Sequence, residues 1–272
     1  IMHSLSPQLF SGFAKKNKIN YTYTKALCKS ADDVEVLLKN GFSGGNITAP
    51  LKEEAIKISK NLSDSVAKIK ATNTVFIKND NVFAENTDIY GVINSLKKVC
   101  NNFENKTAIV LGMGGAGRAG VYALQQMGIK VFLSGRNENK LKFWSETLDC
   151  EGVILNNAQS KIIDVDIVIN TLPIEAIKSF GEDIIRNHHI VLDADYKNCP
   201  FEKLTLNVGA IYIGGKEWLI NQAVPAYEMF SEIKSNANIF SEIPVQKIEK
   251  NKKNIVLIGM MKSGKTSVGK ML

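Results

Sequence analysis

Short apolar runs and amphipathic stretches alternate along the second half of the chain. After residue 105 the runs have the length of buried strands, as in TAIVLG and IKVFLSG, and each is followed by apolar positions spaced for a helix. The predicted strands are 107–112, 129–135, 166–173, 189–196 and 209–215, and the predicted helices are 118–128, 137–148, 175–187 and 216–233. Strands that alternate with helices at this pace predict a doubly wound parallel sheet.

The first half of the chain carries a different pattern. Its predicted elements are helices at 31–40, 51–62 and 88–102, a strand end and turn in GGNITAP at 44–50, and a hairpin at 71–84 that turns at 79–81. The chain, at 272 residues, is long enough for two domains. We therefore predict an α/β protein in which an N-terminal α/β domain precedes the domain with the parallel sheet.

The positive charge is concentrated near the end of the chain. The whole chain has a net charge of +7, and seven lysines and one glutamate lie between residues 247 and 270. The remaining residues are close to neutral. The basic character therefore belongs to a tail, which disfavours a nucleic-acid-binding groove.

Composition also bears on compartment and on metal chemistry. No run of about 18 apolar residues predicts a membrane span, and the sequence shows no secretory signal. The cysteines and histidines are scattered without the spacing of metal ligands or of a disulfide framework. We expect a cytoplasmic protein with reduced thiols, no metal site and no membrane partner.

A glycine-rich turn follows the run TAIVL. Gly112, Gly114 and Gly117 have the spacing G-x-G-x-x-G, and a predicted helix and a second apolar strand come next. In this context the glycines let the backbone approach a pyrophosphate, which the first N–H groups of the helix bind. We predict a Rossmann domain with a dinucleotide site that also includes Gly115 and Ala116. The structural alternative is a tight turn that binds nothing.

The end of the second strand indicates which dinucleotide binds. Proteins that bind NAD normally place an acidic residue there, to accept a hydrogen bond from the ribose 2′-hydroxyl. The segment 134–137 contains no acid, and Arg136 can attract a 2′-phosphate. Lys140 lies one helical turn beyond Asn137 and can add a second positive charge. NADP(H) is favoured, with Arg136, Asn137 and Lys140 as predicted contacts; the alternative is that both basic side chains are solvated surface charges.

Polar clusters occur throughout the first 90 residues. HSLSPQLF, GGNITAPLK, ATNT and ENTD each allow a structural role, as helix caps, turns or hairpin ends. Together with GMGGAG, GRN, DIVINTLP, VLDADY and GGKEWLINQA, they occur in the order and approximate spacing of shikimate dehydrogenase. From residue 1 to residue 235, approximately, the chain therefore resembles that family.

The resemblance implies a reaction, a cofactor and a set of site residues. The family interconverts 3-dehydroshikimate and shikimate with NADP(H). Lys52 and Asp88 match the family's catalytic pair, and Gly215 stands where the backbone approaches the nicotinamide. The residues that match substrate contacts are Ser4, Ser6, Asn46, Thr48, Asn73, Tyr196 and Gln222.

The proton chemistry of a ketone reduction suits these two catalytic residues. A hydride moves from the reduced cofactor to carbon, the oxygen then needs a proton, and the reverse reaction must remove it. A partly buried lysine can donate and accept that proton when a neighbouring carboxylate positions it. We predict Lys52 as the general acid and base, oriented by Asp88.

The predicted domain boundaries follow from the patterns and the resemblance together. The substrate-binding domain covers 1–100 and is completed by 216–235, and the NADP-binding domain covers 104–215. A polar linker covers 236–254. The resemblance also implies that a first strand of the substrate-domain sheet precedes residue 1.

The last residues carry a second phosphate-binding signature. Residues 259–266 read G-x-x-x-x-G-K-T after the apolar run NIVLI, which is the pattern of a phosphate-binding loop. The segment 255–272 resembles the start of shikimate kinase, so we expect the truncated start of a fused kinase domain. A chance motif in a tail is the alternative, and the segment alone lacks the rest of a kinase.

Two other functions are compatible with the same motifs. A relative that prefers quinate, with relaxed cofactor use, would share the substrate and nucleotide residues. A non-catalytic cofactor-binding protein would share the nucleotide site alone. The presence of both Lys52 and Asp88 favours an enzyme over the second of these.

Overall fold

The computed structural model describes residues 4–178, 180–195, 199, 201–235 and 237–243. Three sequence predictions fall wholly or mostly outside these residues, namely the substrate contact at Tyr196, the linker at 236–254 and the kinase start at 255–272 with its phosphate-binding loop. The described residues form two sheets, each with helices packed around it.

The first hundred residues build a small four-stranded sheet. Its strands are β1 (Gly44–Asn46), β2 (Asn61–Leu62), β3 (Thr74–Lys78) and β4 (Asn81–Glu85), in the order β1-β3-β4-β2. The predicted hairpin is confirmed, because β3 and β4 pair in antiparallel register along their whole length. Asn79 and Asp80 both have positive φ, as the two-residue turn of a tight hairpin requires.

Four helices accompany this sheet: α1 (Ser6–Lys16), α2 (Ala31–Lys39), α3 (Asp64–Ile69) and α4 (Asp88–Lys97). Local capping explains where two of them begin. Ser30 and Asp33 form a reciprocal capping box at the start of α2. The Ser63 hydroxyl accepts a hydrogen bond from the Val66 N–H at the start of α3, and α3 ends at Lys70 in the left-handed conformation.

The second half builds a six-stranded parallel sheet. Its strands are β5 (Thr107–Leu111), β6 (Lys130–Gly135), β7 (Glu151–Ile154), β8 (Ile167–Asn170), β9 (Ile190–Asp193) and β10 (Ile211–Ile213), in the order β10-β9-β8-β5-β6-β7. Strands β8 and β9 are buried along their whole length, and β5 along all but its first residue. Continuous apolar runs of this kind are typical of parallel strands covered on both faces. The doubly wound α/β fold predicted from the sequence is confirmed.

Helices connect the parallel strands: α5 (Gly115–Gln126), α6 (Glu138–Leu148), α7 (Ala158–Asp164), α8 (Ile174–Ile177) and α9 (Glu202–Asn207). The chain then returns to the first half through α10 (Gly215–Ser231) and α11 (Ala237–Ser241). Helix α10 packs most extensively against α4 and also contacts α1, β1 and β3. Phe10 and Phe13 of α1, Tyr227 of α10 and Phe240 of α11 form an aromatic core between these helices.

The predicted helix at 51–62 is wrong. Only Glu54–Ile58 is helical, as a short 3-10 helix, and the chain then enters β2. Side-chain contacts to β4 explain the difference, because the Ser59 hydroxyl and the Asn61 amide both donate to the Val82 carbonyl, at 2.6 and 3.0 Å. Tertiary hydrogen bonds therefore override the helical spacing of this segment.

Other element predictions differ in extent. The helix predicted at 88–102 ends at Lys97, and the one predicted at 175–187 is replaced by α8 and a separate 3-10 helix at Glu182–Ile184. Gly181 separates these two pieces, and its N–H donates to the Gln159 side chain at 2.8 Å. Helices α1, α3, α7, α9 and α11 and strands β2 and β7 were not predicted. Helix α11 lies within the segment predicted as a polar linker, where Phe240 and Ile243 are buried against α1 and α10. Throughout the described residues, every helix is too short or too polar to cross a membrane.

Candidate active site

A cleft of about 880 Å³ lies between the small sheet and the first turns of α5 and α10. Its walls contain these residues predicted to bind substrate or to catalyse: Ser4, Ser6, Asn46, Thr48, Lys52, Asn73, Asp88 and Gln222. Ala116 and Gly215, predicted as cofactor contacts, line the same cleft. The fold therefore brings the substrate candidates and part of the cofactor site together, although they are far apart in the sequence.

Lys52 and Asp88 form an ion pair in this cleft. The Lys52 Nζ donates to Asp88 Oδ2 at 2.5 Å, and the two side chains are only 17% and 10% exposed. The second carboxylate oxygen, Oδ1, accepts a hydrogen bond from the Trp218 indole N–H at 3.2 Å. Both oxygens of Asp88 are thus engaged, and the carboxylate is held in one orientation towards the lysine.

The backbone around the pair is tied down on both sides. Asp88 is the first residue of α4, where the partial positive charge of the helix end favours a carboxylate. Its N–H donates to the Asn86 side chain at 3.1 Å. The Lys52 carbonyl accepts from the Thr72 N–H at 2.8 Å, which links the turn that carries the lysine to the start of the hairpin.

A buried hydrogen-bond network continues from Asp88 into the small sheet. The Asn73 Oδ1 accepts from the Thr87 N–H at 2.7 Å. The Gln222 Oε1 accepts from the Thr87 hydroxyl at 2.9 Å and from the Asn73 amide at 3.4 Å. Within the described residues the Gln222 Nε2 donates no hydrogen bond, so its N–H groups are available to an oxygen in the cleft.

The serines and Asn46 occupy another part of the cleft wall. Ser6 is buried at the start of α1, and its N–H donates to the Ser4 hydroxyl at 3.3 Å. The Tyr23 hydroxyl donates to Asn46 Oδ1 at 2.7 Å. Burial raises the pKa of Tyr23, so its hydroxyl stays protonated and remains a donor. Thr48 lies in the adjoining turn and is exposed to solvent.

The glycine-rich turn has the shape of a pyrophosphate cradle. Gly112 has φ of +110°, a conformation that favours glycine, and a Cβ on Gly117 would lie 1.9 Å from the Gly112 carbonyl oxygen. At Gly114 nothing lies within 4 Å of where a Cβ would stand. The first turn of α5 leaves N–H groups without helical partners, and these face an open approach for phosphate oxygens. The residues present therefore fit a dinucleotide.

The two halves of the site meet at Gly115. A Cβ on this residue would lie 3.2 Å from the Lys52 Cδ and 3.1 Å from the Ala71 Cβ. A side chain here would press on the lysine that pairs with Asp88. Gly115 was predicted only as a cofactor contact, and the structure shows a second requirement for its small size.

The predicted NADP contacts lie at the end of β6 and the start of α6. Asn137 caps α6, with its Oδ1 accepting from the Lys140 N–H at 2.9 Å. Arg136 and Lys140 are exposed, and neither forms an ion pair within the part of the chain that the structure describes. Two exposed cations beside the cradle suit a dianionic phosphate.

At the far end of the cleft, Gly215 opens α10 directly against the loop that follows β9. A Cβ on Gly215 would lie 2.6 Å from the Ala194 carbonyl oxygen, so only glycine allows this approach. Ala194 also lines the cleft. Tyr196, two residues further along, lies outside the described residues and stays a prediction.

A buried acid stands at the carboxyl ends of the neighbouring parallel strands. The Asp193 carboxylate accepts hydrogen bonds from the Asn170 amide at 2.8 Å and from the Tyr212 hydroxyl at 3.1 Å. Burial raises the pKa of Asp193 to about 6, although both hydrogen bonds act in the opposite direction. These two hydrogen bonds hold the end of β9, directly before Ala194.

Sequence reasoning missed several residues that shape the site: Tyr23, Asn86, Thr87 and Trp218. Trp218 carried a usable signal, because it lies one helical turn before Gln222 and on the same side of α10. Tyr23 carried none, since its segment has no regular pattern. Among the described residues, no cluster of His, Cys, Asp or Glu has the arrangement of a metal site.

The chain is similar in sequence to known proteins, both in its N-terminal part and over most of its length. A sequence profile described as the shikimate dehydrogenase substrate binding domain matches residues 1–75. A shikimate dehydrogenase (NADP(+)) from Aquifex aeolicus is 30% identical over 241 residues, covering 85% of this chain and 88% of the relative. A shikimate dehydrogenase (NADP(+)) from Ignicoccus hospitalis is 32% identical over 241 residues, covering 85% and 89%.

A solved structure shows the same likeness in three dimensions. The crystal structure of shikimate dehydrogenase from Aquifex aeolicus superposes on this chain with a TM-score of 0.79 at 28% identity, covering 88% of this chain and 92% of the other. The similarity therefore spans both sheets and the cleft between them.

Proposed function

The chain belongs to the shikimate dehydrogenase family, and from that premise we propose that it is an NADP-dependent oxidoreductase that interconverts 3-dehydroshikimate and shikimate. The observation that carries the proposal is the position of the Lys52–Asp88 pair. The pair is mostly buried, lines the large cleft and lies against Gly115, the first residue of α5.

NADPH, when bound, supplies the hydride that converts the ketone carbon of 3-dehydroshikimate to the carbinol carbon of shikimate. The Lys52 ammonium donates the proton that the carbonyl oxygen gains, and the neutral amine takes it back in the oxidation. Asp88 keeps the ammonium directed into the cleft, and Trp218 keeps Asp88 in place. Lys52 is thus the general acid and base, and Asp88 orients it.

The polar wall of the cleft suits a small polyhydroxy carboxylate. The hydroxyls of Ser4 and Ser6 can donate to the carboxylate. The Gln222 Nε2, which donates to no described residue, can donate to a hydroxyl or carboxylate oxygen. Asn46 and Asn73 have their amide orientations set by Tyr23 and Thr87, so they present fixed groups to the ring hydroxyls. Thr48 is the most exposed member of this set.

Arg136 and Lys140 would hold the 2′-phosphate of NADP. Support comes from their exposure beside the cradle and from the absence of any acid in the segment 134–137, where an NAD-binding protein normally has one. Asn137 sets the start of α6, which determines where both cations stand. Gly215 would lie beside the nicotinamide, because it lines the same cleft as Lys52.

The first experiment follows the absorbance of reduced nicotinamide after the protein is mixed with shikimate and NADP. Quinate and NAD replace one reactant at a time as controls. Rapid reduction of NADP with shikimate is expected, with slower reduction for the other pairs. Faster turnover with quinate would reassign the substrate, and no reduction with any pair would contradict the proposal.

The role of Lys52 is tested with Lys52→Ala, and Lys57→Ala serves as the matched control. Lys57 lies in the same segment but is exposed and paired with Glu54 and Asp32. Lys52→Ala should lower kcat by about 10²- to 10⁴-fold, the usual contribution of a general acid or base. NADP affinity, measured by calorimetry, should be unchanged in both variants. A native kcat in Lys52→Ala would refute the mechanism.

Two further statements stay predictions from the sequence. The kinase fusion rests on the phosphate-binding-loop motif at 259–266. The cytoplasmic location rests on composition and on the scattered cysteines.

A further inference from the structure

Arg118 is a buried cation that the proposed chemistry does not use. It follows the last glycine of the nucleotide cradle on α5, and only 1% of its surface is exposed. Arginine is almost never fully buried unless it is paired. Burial lowers the pKa of this guanidinium, while the Glu53 carboxylate acts in the opposite direction. The burial of the charged Arg118 side chain therefore needs an explanation.

The Arg118 side chain joins the two halves of the molecule. Its Nη1 donates to the Met113 carbonyl at 2.8 Å, inside the glycine-rich turn. Its Nε donates to the Ile69 carbonyl at 2.7 Å, and Nη2 donates to the Lys70 carbonyl at 3.2 Å, at the end of α3. One guanidinium thus bonds to the backbone of the nucleotide turn and to the backbone of the substrate half.

Glu53 and Trp144 complete the surroundings of Arg118. Its Nη2 also donates to Glu53 Oε1 at 2.8 Å, and the guanidinium carbon lies 3.9 Å from the centre of the Trp144 ring. A planar guanidinium makes these bonds in fixed directions while it stacks on the indole, and lysine cannot reproduce that combination. The contacts of Arg118 therefore depend on the direction of its hydrogen bonds as well as on its charge.

These contacts end next to the groups proposed to act in the reaction. Glu53 directly follows Lys52 in the chain. Lys70 precedes the segment whose Thr72 N–H binds the Lys52 carbonyl at 2.8 Å. On the other side, the Met113 carbonyl belongs to the turn that would carry the pyrophosphate. Arg118 therefore reaches the backbone on both sides of the reacting atoms.

We propose that Arg118 is a positioning residue that sets the distance and angle between the nucleotide turn and Lys52. The proposal rests on the proposed function, since it concerns the same site. Each half keeps its own binding contacts without Arg118, so the affinity for NADP is largely retained. A misplacement of about 1 Å between the reactants can slow the chemical step about 10²-fold.

The test compares Arg118→Lys with Arg186→Lys, the same substitution at an exposed arginine in the segment before β9. Single-turnover oxidation of shikimate is followed at saturating NADP, and shikimate deuterated at the oxidised carbon identifies the hydride-transfer phase. The rate constant of that phase should fall about 10- to 100-fold in Arg118→Lys, with its amplitude retained. Arg186→Lys should match the native protein.

The rate constant and the amplitude separate positioning from stability. A partly unfolded variant loses amplitude, but its folded molecules react at the native rate. A native rate constant in Arg118→Lys, whatever its amplitude, would overturn the proposal. If Arg118→Lys does not fold, Glu53→Ala replaces it, because the Glu53 side chain is 62% exposed. A fall in the same rate constant supports the proposal, and a native value overturns it.

If the native protein does not oxidise shikimate, the proposed function is contradicted. The interdomain role of Arg118, which is to link the nucleotide turn to the substrate half, is then still open to test. Hydrogen exchange then gives the answer on the same variants. Arg118→Lys should exchange faster than native protein at both 69–73 and 112–117, with Arg186→Lys unchanged. Exchange that is faster in one segment alone, or in neither, would overturn the interdomain role.

Discussion

The six-stranded sheet is packed with apolar side chains on both faces, whereas the four-stranded sheet combines apolar clusters with a network of buried polar side chains beside the cleft. Ile109, Val168 and Val191 are fully buried at the centre of the large sheet. Beside the small sheet the residues with 4% exposure or less include Thr72, Asn73, Thr74, Asn86 and Thr87, and each has hydrogen-bond partners.

This difference separates stability from orientation. Apolar burial stabilises a fold without fixing directions, because dispersion and the hydrophobic effect are not directional. A buried polar network specifies orientation, and it is costly when one member is left unsatisfied. The polar network therefore lies where the proposed substrate hydroxyl groups need partners in fixed directions, while apolar clusters stabilise both halves.

The largest expected effect on activity comes from removing the charge of Asp88, in the polar network beside the cleft. Asp88→Asn keeps the shape of the side chain but no longer attracts Lys52, so kcat should fall by about 10²- to 10³-fold. Asp64→Asn makes the same change at the start of α3, on an exposed residue, and should leave kcat native. Steady-state assays of both variants check this, and an equal loss in both would erase the distinction between the two positions.

An apolar truncation in the large sheet should affect stability instead. Ile109→Ala leaves a cavity between β5 and its covering helices and should lower the free energy of unfolding by about 3 kcal/mol. Ile211→Ala, on the edge strand β10 where the side chain is 41% exposed, should cost less than about 1 kcal/mol. Urea unfolding measures both. A change in KM for folded Ile109→Ala would contradict the view that this apolar core affects stability and not substrate binding.

Two buried groups in the large sheet should make its stability depend on pH in opposite directions. The pKa of Asp193 is about 6 in the folded protein against 3.8 for a free aspartate, so its contribution is present below pH 3.8 and lost as pH rises through 6. Burial lowers the pKa of His189 from 6.5 to about 4, so its contribution is present above pH 6.5 and lost as pH falls through 4.

Asp193→Asn removes the contribution of Asp193 to the pH dependence of stability and leaves that of His189. Compared with the native protein, this variant should gain about 2 to 3 kcal/mol of unfolding free energy between pH 3.5 and pH 7. Urea unfolding at steps across that range gives the difference. His189→Gln should show the reverse trend against the native protein. If the difference in unfolding free energy between each variant and the native protein does not vary with pH, these two groups do not control the pH dependence of stability.

The smallest expected effect is on the proposed NADP contacts, which are exposed. Arg136→Gln should weaken NADP binding about 10-fold and leave NAD binding unchanged, because only NADP has a 2′-phosphate to pair with the arginine. Lys142→Gln removes an exposed charge from α6, the helix that follows Arg136, and should change neither affinity. Calorimetry at two salt concentrations checks the electrostatic origin, since the Arg136 effect should shrink at higher ionic strength.

Sequence reasoning recovered the large sheet better than the small one. Apolar runs such as 107–112 and 129–135 are local patterns, and a parallel strand shows them because both of its faces are buried. Polar clusters carry no such period. In the segment 51–62 the helical spacing is real, but hydrogen bonds from Ser59 and Asn61 to Val82 direct the chain into a sheet instead.

The candidate site divides in the same way. The sequence pattern predicted the glycine turn and the missing acid after β6, and the family resemblance implied the pairing of Lys52 with Asp88, which the structure shows as an ion pair. Trp218 as the partner of Asp88, and Arg118 as the link between the halves, were not. Their neighbours lie up to 130 residues away, and a sequence pattern does not name distant partners.

The sequence by itself determined which segments would be buried strands, where the backbone had to be glycine, and which residue types could move a proton or hold a phosphate. These properties depend on period, on backbone conformation and on the chemistry of single side chains. Only the tertiary structure decided which polar groups would be satisfied by each other and which would remain free to bind a ligand. That choice depends on distances between remote segments, and it is made when the two sheets and α10 close around the cleft.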